Sequence, residues 1–143
     1  MRILALIAFS AATVLLAAAP ALAEEVKFKA ALDGKSETPP TTSAGTGTVT
    51  ATYDTVAKTL SWTVDYSGLT GPATMAHFHG PAPVGSPAPI MAPLQGSLDS
   101  PIKGSATLTD DQAKALMDGM MYFNIHTAAN KPGEIRGQME KAM

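Results

Sequence analysis

Gly45-Thr-Gly-Thr-Val-Thr-Ala-Thr-Tyr53, followed across Asp54–Lys58 by Thr59-Leu-Ser-Trp-Thr-Val-Asp-Tyr66, is the stretch whose reading decides the fold. In its first half threonine alternates with small or apolar residues. In its second half Leu60, Trp62 and Val64 alternate with Ser61, Thr63 and Asp65. A period of two puts one set on each face of a strand, and the polar break between the halves is a turn. The pair therefore reads as an antiparallel hairpin with one buried and one solvated face. Trp62, the only tryptophan, belongs to the buried set and is expected in the core.

The same pattern extends outward. Val26–Leu32 reads as a strand ended by Asp33-Gly34, and the polar segment Lys35–Ser43, with Pro39-Pro40, as a loop or edge crossing. Further strands are expected at Thr74–His79, at Pro101–Leu108 and at Met121–Thr127, the last followed by a turn at Asn130–Gly133. Glu134–Met139 closes the chain, with Ile135 and Met139 on one face and Glu134, Arg136 and Gln138 on the other. Gly80–Leu94 holds Pro81, Pro83, Pro87, Pro89 and Pro93, which excludes a central strand there. It is either a stiff surface connection or a cover over a neighbouring site. Thr109-Asp-Asp-Gln112 has the form of a capping box and opens one short helix that stops at Gly119. These elements predict an all-β protein, an antiparallel Greek-key-like sandwich or barrel of about seven to eight strands with one short helix.

The first residues read differently. Arg2 precedes the nearly unbroken apolar run Ile3–Ala19, and Ala21-Leu22-Ala23 is a small-x-small cleavage site, so residues 1–23 are expected to be a secretory signal peptide. The mature chain, residues 24–143, is expected to be one domain in the periplasm or outside the cell; an uncleaved membrane anchor is the alternative. No later stretch is apolar enough to span a bilayer. The absence of cysteine excludes disulfides, thiolate metal sites and a lipid-attachment cysteine. The formal net charge is −2, with no basic cluster, which argues against nucleic acid or an anionic membrane as partner.

The chemistry is concentrated in two short segments. The chain has three histidines, two in Met75-Ala-His-Phe-His-Gly80 and one in Asn124-Ile-His-Thr127. On a strand His77 and His79 share a face while Phe78 points the other way. If the strand carrying His126 runs alongside, the three imidazoles form a nitrogen site of the kind that holds copper or zinc. Imidazole ligands without carboxylate suit both ions, and the affinity order places Cu(II) above Zn(II), so copper is the expected ion and zinc the alternative. Met75 shares the face of His77 and His79 on a regular strand and is a candidate axial ligand. Tyr122 and Asn124 share the face of His126 and are candidates for supporting contacts. Glu134 and Arg136 are candidates for orienting a histidine or holding an anion beside the metal. Arg136 is also expected to form a bidentate pair with an Asp or Glu that pins the last strand.

Ala76-His-Phe-His-Gly-Pro-Ala82, Leu108-Thr109 with its helix to Gly119, Tyr122-Phe-Asn-Ile-His-Thr127 and Pro132-Gly-Glu-Ile-Arg-Gly-Gln138 together resemble the CHRD domain, from about Val26 to Met139. The resemblance implies an extracytoplasmic β-sandwich with motif histidines at His77, His79 and His126. It does not by itself fix an activity. Gly119-Met120-Met121 departs from the polar or aromatic residues that family members tend to carry. Ala76–Gly80 is also similar to the His-x-His strand of copper superoxide dismutases, which need a fourth imidazole that this chain lacks. A cupin reading of Gly71 with His77 and His79 fails, because the expected glutamate falls near Pro83 or Val84.

These readings make the chain an expected extracytoplasmic copper-binding protein, for sequestration, delivery or tolerance, with weak superoxide dismutase-like redox activity as its only enzymatic prospect. No catalytic residue is assigned. The competing expectation is a non-metal envelope or matrix module whose partner is another envelope protein.

Overall fold

The computed structural model describes residues 18–143. Of the expected leader only residues 18–23 are described, and they are exposed and irregular; the rest lies outside the described residues. The hairpin forms as read, with β1 (Glu25–Asp33) preceding it. β2 (Thr46–Asp54) and β3 (Thr59–Ser67) pair antiparallel from Thr46↔Ser67 to Asp54↔Thr59. Val49, Ala51 and Tyr53 on β2, and Leu60, Trp62 and Val64 on β3, turn inward. The Asp54 carboxylate closes the turn by accepting from the N–H groups of Val56 and Ala57. The long strand β1 pairs along all of β2.

The remaining strands are β4 (Ala73–His79), β5 (Ile90–Pro93), β6 (Ile102–Thr107), β7 (Tyr122–Thr127), β8 (Ile135–Gln138) and the two-residue β9 (Glu140–Lys141). One antiparallel sheet runs β5-β4-β7-β8-β1-β2-β3-β6, with β9 also on β1. It curls until its distant strands face each other. Trp62 of β3 lies edge-on to Phe78 of β4 at 5.0 Å between centroids, and Phe78 to Phe123 of β7 at 4.9 Å. Two glycines permit that close packing. A Cβ at Gly104 would sit 2.7 Å from the Trp62 ring, and one at Gly137 would sit 2.1 Å from the Ala31 carbonyl of β1.

The edge strands β5 and β6 do not pair, so the barrel is nearly closed. Helix α1 (Asp110–Met117) follows β6 and ties it to β5. Thr109 and Gln112 form the expected capping box, and Gln112 Nε2 also donates to the Met91 carbonyl at 2.8 Å. Leu108 and Leu116, at the two ends of this link, are buried in the apolar core.

The expected alternation of buried and exposed faces fails on β7 and β8. Every residue of β7 is buried, and Glu134 and Arg136, placed on a polar face by sequence, are 0 % and 2 % exposed. The reason is a second layer: the Lys35–Ala44 and Gly80–Pro89 segments fold over the outer face of β4, β7 and β8. Each of these strands therefore has one side on the apolar barrel core and one side in a compact polar cluster. Part of the proline-rich segment is itself strand β5, at the sheet edge where proline is tolerated.

Candidate metal centre

The pairing of β4 with β7 sets His77 opposite Asn124, His79 opposite Tyr122 and Met75 opposite His126. Ala76 and Phe78 face Ile125 and Phe123 on the core side, which turns the alternate residues, the histidines among them, into the polar cluster. All three sequence-predicted histidines converge there. His77 Nδ1 lies 3.2 Å from His126 Nε2, and each ring offers a nitrogen within 4.8 Å of the other two. Two nitrogens bound to one tetrahedral ion at ~2.0–2.1 Å are themselves roughly 3.3 Å apart, so the His77–His126 spacing already suits a shared ion. The rings retain 7–9 % exposure.

Backbone carbonyls hold two of the rings. His126 Nδ1 donates to the Lys131 carbonyl at 2.7 Å, and His79 Nδ1 donates to the Ala88 carbonyl at 2.9 Å. A carbonyl only accepts, so His126 carries a proton on Nδ1 while its Nε2 hydrogen-bonds to His77 Nδ1. Both nitrogens of His79 face oxygen acceptors, the Ala88 carbonyl and, 3.0 Å from Nε2, Asn124 Oδ1. An Nδ1 contact to a backbone carbonyl is the kind that holds a metal-ligating histidine by its other nitrogen. Burial holds His77 down at about 4, helped by the neighbouring His126 and His79, and burial also lowers His79. Both rings are therefore neutral at pH 7 and able to coordinate.

Residues 28–139 match the CHRD domain family. The chain belongs to that family. No curated protein and no solved structure matches this CHRD domain.

The supporting residues of this CHRD domain act more indirectly than the sequence suggests. Tyr122 stacks flat on His79, 4.8 Å between centroids and 4° between planes, and the Arg136 guanidinium covers the far face of Tyr122 at 3.4 Å. The expected bidentate carboxylate pair of Arg136 does not form. Its guanidinium donates instead to Thr38 Oγ1 and to the Ser86 carbonyl, because the two covering loops meet over β8. The loop over the site is thus held by site residues: Ser86 by Arg136, Ala88 by His79 and Tyr122, and Ala82 by Gln138.

Glu134 makes no hydrogen bond to a histidine. Its carboxylate accepts from Ser43, from the Thr70 N–H and hydroxyl, and from Thr127. Burial would raise its pKa, but those hydrogen bonds outweigh it and hold the carboxyl at about 2. Its role is to anchor three segments next to His126. Met75 is 47 % exposed at the rim, paired across the strands with His126.

Sequence reading missed Glu37. It is 4 % exposed, and its Oε1 is buried without a partner. Burial lifts its carboxyl to about 7, against the opposing pull of the Thr38 backbone N–H, Arg136 and Asn124. Flanked by Ser36, Thr38 and two prolines, it carries no periodic signal of burial. The Ala88 and Lys131 carbonyls escaped for another reason: a backbone acceptor has no residue-type signature.

Proposed function

We propose that this CHRD-domain protein binds a single copper ion through His77, His79 and His126 in an extracytoplasmic compartment, for copper sequestration, delivery or tolerance. The observation that carries the reading is the convergence of three imidazoles whose nitrogens lie within 4.8 Å of one another, two of them held at Nδ1 by backbone carbonyls. An all-imidazole donor set favours Cu(II) over Zn(II) by the affinity order, with zinc the competing ion. Met75 at the rim, opposite His126, is a soft donor for Cu(I). Cycling of an open copper site between its two oxidation states would give the weak superoxide dismutase-like activity expected from sequence.

The test is calorimetric titration of the metal-free protein with Cu(II) and Zn(II), with copper spectroscopy to identify nitrogen ligands. One equivalent bound with nitrogen coordination, lost in a His77→Ala/His79→Ala/His126→Ala variant that keeps its fold, is the expected result. Undiminished binding in that variant, or no binding in the wild type, removes the proposal and leaves the interaction-module reading. A superoxide turnover no faster than that of aqueous copper removes the redox step alone.

A further inference from the structure

Each of the two paired strands of the site supplies an i, i+2 pair to the polar cluster: His77 and His79 from β4, Asn124 and His126 from β7. Although His77 stands opposite Asn124 in the register, the close approaches are diagonal. His77 Nδ1 lies 3.2 Å from His126 Nε2, and His79 Nε2 lies 3.0 Å from Asn124 Oδ1. Two donors on one ion at ~2.0–2.1 Å are roughly 2.9 Å apart at right angles and roughly 3.3 Å apart in a tetrahedron. Both contacts fall inside that range.

The contact between His79 and Asn124 is short of protons. His79 Nδ1 also faces an acceptor, the Ala88 carbonyl at 2.9 Å, and a neutral imidazole has one proton to offer two oxygens. With that proton on Nδ1, the lone pairs of His79 Nε2 and Asn124 Oδ1 meet, an arrangement that a cation shared between them satisfies. Glu37 holds the amide this way round. A Cβ on Gly133 would lie 2.8 Å from Asn124 Nδ2 and 2.3 Å from Glu37 Oε1, so the amide nitrogen is turned toward the carboxyl group. Glu37 is buried and Oε1 calls for a donor, and hydrogen bonding by Asn124 favours its ionised form. A reversed amide would set oxygen against that carboxylate.

We propose that Asn124 Oδ1 is the fourth ligand of the copper site, with Glu37 as the positioning residue that holds its amide nitrogen. The proposal rests on the three-histidine reading and completes it as a set of three nitrogens and one oxygen. Nitrogen and oxygen donors near right angles suit Cu(II), and a hard amide oxygen offers little to Cu(I). The completed site therefore selects the oxidised ion.

The experiment titrates Cu(II) into metal-free protein whose asparagines carry a magnetic carbon isotope at the side-chain carbonyl, followed by calorimetry and pulsed EPR. Asn124 and Asn130 are the only asparagines in the chain. The wild type shows three imidazole nitrogens and one strongly coupled carbonyl carbon on copper, and Asn130→Ala keeps that coupling. Asn124→Ala keeps the three nitrogens, loses the coupling and binds about tenfold more weakly. An asparagine that only props up the site would release a histidine nitrogen instead. Asn124→Asp/Glu37→Gln exchanges the two groups, giving copper an oxygen and that oxygen's residue an NH2 anchor, and regains the lost affinity. Whatever the variants do, a wild type without the carbon coupling overturns the fourth ligand. Wild-type affinity in Asn124→Ala, a histidine nitrogen lost with it, or a folded exchange variant that binds no better than Asn124→Ala does the same. Nitrogen coordination in the wild type keeps the three-histidine site in each of those cases. A wild type that binds no copper overturns both.

Discussion

Glu37→Gln tests the polar cluster independently of any metal. An unfolded glutamate releases its proton near 4.5, whereas the buried one holds it to about 7. Between these values the native state binds more protons than the unfolded state, so this group's contribution to stability falls as pH rises from 4.5 to 7. Above pH 7 the ionised carboxylate costs the native state about 3 kcal/mol, since each pKa unit corresponds to ~1.4 kcal/mol. His77 works in the opposite sense. Its pKa falls from 6.5 to about 4, so the unfolded state holds the extra proton there and stability rises with pH from 4 to 6.5. In the wild type the two slopes overlap and largely cancel. Glutamine at position 37 removes one of them. The variant should match the wild type below about pH 4.5, become more stable by about 2–3 kcal/mol at pH 8, and show the uncancelled rise of the buried histidines His77 and His79 between. Urea unfolding of metal-free protein, followed by Trp62 fluorescence from pH 4 to 8.5, measures the difference directly. Stability curves that run parallel across that range, or a variant less stable at pH 8, would refute the reasoning.

A His77→Gln variant should show the complementary curve, falling relative to the wild type as pH rises from 4.5 to 7 in the same urea series, because the Glu37 slope is then opposed only by the burial-lowered His79. Glu134→Gln should cost about 2 kcal/mol at neutral pH by chemical denaturation, since an NH2 replaces an acceptor inside a cluster of donors. In the wild type the Glu134 contribution is present above about pH 4.5 and is lost as pH falls through about 2. Gly137→Ala should lower stability by about 3 kcal/mol or abolish folding, because its Cβ meets the Ala31 carbonyl, whereas Gly71→Ala, with nothing within 4 Å, should stay within about 0.5 kcal/mol by thermal melting.

Where a strand packs against the barrel core on one face and meets solvent on the other, the chain itself displays the structure. The hairpin of Thr46–Asp54 and Thr59–Ser67 was legible because alternation survives there. The helix was legible because a capping box is a local hydrogen-bonding pattern, and Gln112 carries it out as written. The reading weakened at β7 and β8, where loops bury the outer face as well and polar side chains lose their link with exposure. The short strand at Glu140–Lys141 offered too little pattern to be noticed.

The candidate site divides along the same line. Histidines at i and i+2 share a face by the geometry of one strand, so the sequence alone determined that His77 and His79 point to the same side. Whether His126 joins them depends on the register between β4 and β7, a contact between segments about fifty residues apart that no local spacing encodes. Tertiary structure alone likewise decided that Ala88 and Lys131 supply carbonyls, that Arg136 stacks on Tyr122 instead of pairing with a carboxylate, and that Glu37 is buried. Local alternation records which way a side chain points from its own strand; what waits on the other side is set by the chain's return from elsewhere.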